Sequence, residues 1–393
     1  MKSNLRHLRV FAAVVETGSI TRAAERILVS QPAVTQAVAK LETLLGQPLL
    51  HRTPQAVFAN PAGRILAARI TRAFGLLDPA LTDLSPRLVL TATAAQLQAL
   101  IATREAESFT LAARRMGLAQ PTVHRAVSQL EQEAGRPLFE RMAHGMIATR
   151  PAQALAQAAR LAFAELSQAE ADLAELAGRE VGRIVVGAMP LSRSYLLPRA
   201  IARFRQHRAT LPIKALDGPY DDLLAGLRRG EVDFLIGALR DPAPTGGITQ
   251  ERLFDDGLVF VARTDHPILS KARPDLAALL THPIIVATEG TPTRRAFDDL
   301  AARFGPPPSL VETGSMILMR ELLRVSDHLG CISKLQIEAE IRLGAVAQVP
   351  VDLADTLRPI GLTFRSDWLP TRAQADFLSD LRSTVAAIAA API

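Results

Sequence analysis

Residues 30–42 read SQPAVTQAVAKLE, and residues 119–131 read AQPTVHRAVSQLE. The step from Gln31 to Gln120 is 89 residues, and the same step pairs Ser19 with Ser108, Leu41 with Leu130, Pro48 with Pro137 and Arg52 with Arg141. No gap is needed across that span, so residues 1–75 and 88–160 are two copies of one module. The text after Gly182 differs, which argues against a solenoid.

Within the first copy, Leu8, Phe11 and Val15 have the spacing of an opening helix. Ser19 then caps a short helix, ITRAAERI, whose Ala23 and Ala24 allow close approach of a neighbour. Leu28-Val29-Ser30 makes a tight turn, Ser30 caps the next helix, and Pro32 is tolerated in its first turn. Val34, Val38, Leu41 and Leu45 form the buried stripe of that helix, leaving Thr35, Gln36 and Lys40 outside. A short helix followed by one with a polar outer face is the pattern of a helix-turn-helix. Exposed amides and hydroxyls suit base edges, whereas Lys40 and Arg52 suit phosphates. Gly46-Gln47-Pro48 ends the helix, LLHRTPQAVF reads as a hairpin wing, and Asn60-Pro61 starts a further helix. Periodicity alone is equally compatible with a three-helix bundle that touches no nucleic acid.

Charge placement favours an anionic partner. The net charge is +6, and residues 1–75 hold ten Lys/Arg against three Asp/Glu. Residues 88–150 hold seven against five. One cysteine, Cys331, excludes an intrachain disulfide, and the short apolar run Val10–Val15 is no export signal. No apolar stretch is long enough for a membrane span, so no membrane partner and a cytoplasmic location are expected. No catalytic signature or metal-ligand spacing is found. His328-x-x-Cys331 alone is too little for zinc. The expectation is a protein that is not an enzyme and uses no cofactor or metal.

An alanine-rich pattern from Thr149 to Gly178 exceeds an ordinary globular helix and needs a partner helix along its length. The first copy carries its own shorter stub, PAGRILAARITRAFGLLDPAL, with Pro79 expected to end it. Beyond Gly182, strands such as RIVVGAM and VDFLIGAL alternate with helices such as YLLPRAIARFRQH, which indicates parallel sheets with crossover helices. A second unit of this kind follows, and LRPIGLTF returns the chain to the first. Two such lobes enclose a cleft. The loops PLSRS (190–194) and TEGTPT (288–293) each join a strand to a helix, and Pro190, Leu191, Ser192, Thr288, Gly290 and Thr291 are the expected effector contacts.

SITRAAERILVSQPAVTQAVAKLETLLGQPLLHR and SFTLAARRMGLAQPTVHRAVSQLEQEAGRPLFER both resemble the winged helix-turn-helix of LysR-type transcriptional regulators. The resemblance implies a multidomain fold. Two all-α winged helix-turn-helix modules (residues 1–75 and 88–148) would precede a linker and dimerisation helix (149–178). A two-lobed α/β region, like a periplasmic binding protein, would fill 180–393, with its second lobe at about 262–348. It also implies double-stranded DNA and a small-molecule effector as partners, and a homodimer or homotetramer joined through the linker helix. RPIGLTFRSDWLPT resembles members related to sugar-responsive regulators, so an anionic molecule or a sugar derivative is the expected effector. By resemblance, Gln31, Pro32, Thr35, Gln36 and Arg52 touch DNA in the first copy. Gln120, Pro121, His124, Arg125 and Arg141 do so in the second. The second copy has Ala119 in place of the capping serine and Ala152 in place of Gly63, and the first has Ala56 in place of Gly145. Alternatives are an interaction protein whose repeats bind another protein, or a solute-binding protein.

Overall fold

The computed structural model describes residues 4–53, 56–142 and 145–390. They form two compact units, residues 1–182 and 183–393.

The first unit opens with helices α1 (Leu5–Thr17), α2 (Ile20–Arg26) and α3 (Gln31–Leu45), a hairpin β1 (Leu50–Arg52) and β2 (Val57–Ala59), and the long helix α4 (Pro61–Leu84). After a single turn, α5 (Leu88–Thr91), the series recurs. It comprises α6 (Ala94–Ala106), α7 (Phe109–Met116), α8 (Gln120–Ala134), β3 (Phe139–Met142), β4 (Gly145–Ala148) and α9 (Arg150–Leu176). The local chemistry recurs with it. Glu42 Oε1 accepts hydrogen bonds from the Leu49 and Leu50 amides, and Glu131 Oε1 from those of Leu138 and Phe139. The Leu-Glu of each quoted stretch thus ties the helix to the first strand of the hairpin.

Where the copies differ, each difference has a local cause. The Ser30 hydroxyl caps α3 by accepting from the Ala33 amide, whereas α8 starts at Ala119 with no side-chain cap. A Cβ on Gly63 would lie 2.1 Å from the Leu49 carbonyl oxygen, so the first copy requires glycine there. In the second copy the equivalent Ala152 is fully buried.

Sequence reading ended the first linker helix at Pro79, and the structure corrects this. α4 continues through Pro79 to Leu84, with Leu77, Leu81 and Leu84 all buried on one face. Proline removes one backbone hydrogen bond, but burial of the leucines on both sides holds the helix together. One apolar core runs from Leu5 to Leu173 through both copies.

In the second unit, the first lobe is built from β5 (Ile184–Ala188), α10 (Leu197–Phe204), β6 (Ile213–Leu216), α11 (Tyr220–Arg228), β7 (Phe234–Ala238) and β8 (Ile248–Asp256). The second lobe holds β9 (Leu258–Ala262), α12 (Leu276–Leu279), β10 (Ile284–Val286), α13 (Pro292–Ala301), β11 (Leu310–Glu312), α14 (Met316–Val325), β12 (Leu329–Ser333), α15 (Lys334–Arg342) and β13 (Ala347–Gln348). It therefore starts at Leu258, a few residues before the expected boundary. The chain then returns through β14 (Arg358–Arg365) and ends in α16 (Arg372–Ala390). Strand orders are β6-β5-β7-β14-β8 and β11-β10-β12-β9-β13. β14 lies antiparallel between β7 and β8, so the return strand completes the first sheet.

Two substitutions in α4 test this account by chemical denaturation. Leu77→Ala is expected to destabilise the first unit by about 2–5 kcal/mol. Pro79→Ala is expected to raise the unfolding midpoint, since it restores a helix hydrogen bond. A lower midpoint for Pro79→Ala would show that proline is required there.

Candidate nucleic-acid interface and effector cleft

α3 and α8 each bury an apolar stripe and expose their polar N-terminal half. Val34, Val38 and Leu41 are buried on α3, as are Val123, Val127 and Leu130 on α8. Gln31, Pro32, Gln36 and Lys40 are exposed and Thr35 is half-buried. Gln120, Pro121, His124 and Arg125 are exposed at the matching places. Burial lowers the pKa of His7, and the nearby cations Lys40 and Arg6 lower it further, which marks that surface as electropositive. The His124 ring packs edge-on against Phe109 at 4.9 Å, so part of its role is to position α8 against α7.

Each hairpin stands after its exposed helix. β1 pairs antiparallel with β2, and β3 with β4, where Arg141 lies opposite Met146. Arg141 is exposed, while the Arg52 side chain lies outside the described residues. Sequence reading passed over Arg22, Arg114 and Arg115, exposed cations on α2 and α7. Their signal was available, because the first helix of such a pair crosses the phosphate backbone.

The expected effector residues divide between buried and exposed positions. Ser192 is fully buried, and its hydroxyl donates to the carbonyls of Met189 (2.7 Å) and Ile236 (3.1 Å). Leu191 is buried in a small cluster with Leu335 and Ile360. Pro190 stays exposed. On the second loop, Thr291 caps α13, accepting from the Arg294 amide and donating to the Thr288 carbonyl. Gly290 has φ +77°, a left-handed turn that favours glycine, and Thr288 is exposed. The Thr291 hydroxyl thus serves backbone groups of its own loop, and the Ser192 hydroxyl ties its loop to β7.

A cavity of about 270 Å³ lies between Leu239–Asp241 of the first lobe, α13 of the second, and the return segment up to Pro359. None of the six expected residues lines it, but Arg240, Arg295, Arg303 and Arg358 do. The Arg240 guanidinium lies 4.1 Å from the centroid of the Tyr220 ring. Burial lowers the Arg240 pKa, and the positive charge of Arg295 from the other lobe adds to the shift. Arg303 pairs with Asp355 at 3.3 Å. These arginines are scattered over more than a hundred positions, and no motif announces them.

The crossing strands are tied by a buried carboxylate. Asp256, the last residue of β8, accepts hydrogen bonds from Ser333 Oγ (2.6 Å), the Leu335 amide (3.2 Å) and Arg358 Nη2 (3.2 Å). Ser333 and Leu335 belong to the second lobe and Arg358 to the first sheet. Burial raises the Asp256 pKa, while Ser333 and Arg358 oppose the shift. Arg358 is nine-tenths buried, and its Nε and Nη1 have no hydrogen-bond partner among the described residues. Burial likewise pushes the Cys331 thiol pKa up, and that residue serves as an apolar filler of the second core.

A tandem helical unit with exposed polar helices, followed by a two-lobed α/β unit with a cavity lined by four arginines and three aspartates, defines a DNA-binding regulator with a ligand-binding region. Comparison with known proteins identifies its kind. Residues 177–386 match the family model of the LysR substrate binding domain. Residues 5–64 and again 94–153 match that of the bacterial regulatory helix-turn-helix protein, lysR family. The HTH-type transcriptional regulator GalR of Pseudomonas putida is 32% identical over 392 residues, 97% of each chain. PcaQ of Agrobacterium fabrum is 29% identical over 277 residues, 70% of this chain and 89% of its own. Among solved structures, full-length OxyR of Pseudomonas aeruginosa covers 74% of this chain and 93% of its own, with a TM-score of 0.53 and 22% identity. The LysR family regulator CbnR covers 74% and 98%, with a TM-score of 0.52 and 20% identity. The chain belongs to the LysR family of bacterial transcriptional regulators, which are not enzymes. Among the described residues, no helix is long and apolar enough to cross a membrane.

Two substitutions separate a structural from a ligand role in the second unit. Asp256→Ala leaves Arg358 buried without its carboxylate and is expected to cost roughly 3–5 kcal/mol. Thr291→Val removes a helix cap and is expected to cost about 1 kcal/mol. Both are read from denaturant midpoints, and an unchanged midpoint for Asp256→Ala would remove the carboxylate from the crossing.

Proposed function

We propose that both helix-turn-helix modules of this LysR-type regulator read duplex DNA, and that the cleft of the second unit takes an anionic effector. The observation that carries the first part is the matched exposure of Gln31, Gln36 and Lys40 on α3 and of Gln120, His124 and Arg125 on α8. Each set occupies the N-terminal half of a helix whose opposite face is buried, which suits insertion into a major groove. The two sets differ, so the modules prefer different bases. Arg52 and Arg141 on the hairpins serve as phosphate contacts, and a DNA-reading role places the protein in the cytoplasm.

For the effector, four arginines against three aspartates (Asp241, Asp299 and Asp355) around the cavity leave a cationic excess that favours an anion over a neutral sugar. Arg295 comes from the lobe opposite Arg240 and disfavours the charge on Arg240, so an anion between them would relieve that repulsion and favour closure. Pro190, Thr288 and Gly290 remain candidates for the rim.

Footprinting of the full-length protein tests the DNA reading. Gln31→Ala with Gln36→Ala should abolish protection of one half of the site, and Gln120→Ala with Arg125→Ala should abolish that of the other. Each lost base contact is expected to cost about 1–3 kcal/mol. Complete protection by either double variant would show that its module does not read bases. For the effector, Arg240→Gln should abolish the ligand-dependent change in DNA affinity while leaving ligand-free affinity intact, and a retained response would exclude that arginine.

A further inference from the structure

A long helix after a winged module has an apolar face to cover. Here α4 and α9 cover each other within one chain. Arg69 of α4, 2% exposed, donates to Glu165, Gln168 and Asp172 of α9, and Arg72 donates to Glu165. The partners of the earlier arginine extend further along α9, so the helices run in opposite directions.

The contact is close to two-fold symmetric. Gln47 Nε2 donates to the carbonyl of Leu173 near the end of α9 (3.4 Å), and its equivalent Arg136 donates to that of Asp83 near the end of α4 (2.7 Å). Phe74 and Phe163, also 89 positions apart, are equally buried. This self-complementary pattern is that of a symmetric dimer interface, realised between two segments of one polypeptide.

The charges break the symmetry. The places of Arg69 and Arg72 are held by Ala158 and Leu161 on α9, and those of Glu165 and Gln168 by Leu76 and Pro79 on α4. An α9–α9 pair between two chains in the same register would bury Glu165 with no cation opposite. Leaving a buried charge without its partner typically costs about 3–5 kcal/mol, so the pattern selects α4 with α9 against either self-pair.

We propose that each chain is by itself a complete two-headed reader. Its α4–α9 pair fixes α3 and α8 in one geometry, so one chain spans a bipartite duplex site whose two unlike half-sites occur in a fixed order. This rests on the reading that both modules bind DNA. It also means that copies of the chain associate through surfaces other than the buried face of α9.

The experiment uses the full-length protein in two arms. Gln47 Nε2 and the Ala177 amide converge on the same Leu173 carbonyl, so Gln47→Cys with Ala177→Cys places two thiols within reach of a short bis-maleimide. The expected product migrates as a single chain under denaturing conditions, with residues 47 and 177 joined in one peptide map. In the second arm, the protein selects duplexes from a random library. The expected sequence holds two unlike half-sites, and reversing the order of one relative to the other weakens binding by at least about tenfold. A covalent two-chain product, or no cross-link, overturns the proposal, as does a selected site made only of two inverted copies of one half-site. A single half-site with the cross-link still within one chain overturns the reading that both modules bind DNA, and leaves the helix pairing in place.

Discussion

Arg69 sits almost wholly out of water, held by two carboxylates and an amide of a helix nearly a hundred residues further on. Everything in the first unit depends on that placement. A guanidinium removed from solvent is tolerable only with its partners in place, so α4 and α9 are fixed in register as well as in proximity. Because α4 grows out of the first module and α9 out of the second, fixing the helices fixes the modules. The apolar core, continuous from Leu5 to Leu173, makes the same statement in terms of packing. It also bars a truncation that removes α4, since that would expose the buried face of α9.

The two modules have diverged where divergence is inexpensive and agree where geometry forbids it. Glu42 and Glu131 keep the same bonds to the strand amides, because an ionised carboxylate accepts more strongly than a neutral amide of the same reach. The cap on α3 is lost on α8, a loss of about 1 kcal/mol that the second module absorbs through its buried stripe. Left-handed positions behave similarly. Gly18 has φ +61°, and its equivalent Glu107 takes φ +49° at some strain, held by the Met146 amide, which donates to its carbonyl as Val57 does to that of Gly18. The exposed faces of α3 and α8 carry no such constraint, and they differ at Thr35 and His124 and at Gln36 and Arg125.

The repeat, the helix-turn-helix, the two lobes and the return strand were all legible in the sequence, because each rests on periodicity or on a repeated phrase. What was not legible depends on tertiary context. Pro79 reads as a helix end by its own chemistry, and only the leucines buried against α9 overrule it. A loop hydroxyl reads alike whether it meets a ligand or a neighbouring carbonyl. Ser192 and Thr291 do the latter. β8 escaped notice because it is an edge strand in which Glu251, Arg252 and Asp255 interrupt any apolar alternation. The arginines of the cavity come from three separate segments, and only the fold assembles them.

The same economy of charge operates in both units, with opposite consequences. In the first, buried Arg69 has three partners and no unused direction of approach, so it specifies one arrangement. In the second, Arg358 meets Asp256 through one nitrogen, and two others have no hydrogen-bond partner among the described residues. Asp256 in turn joins β8 and β14 of one lobe to Ser333 and Leu335 of the other. A fully satisfied buried ion pair resists rearrangement, whereas a partly satisfied one leaves a stabilisation of about 1–3 kcal/mol to be gained by any conformation that completes it. The crossing between the lobes is where a sensor needs such a reserve. Arg358 thus stands at the junction of the two lobes with part of its hydrogen-bonding capacity unmet among the described residues.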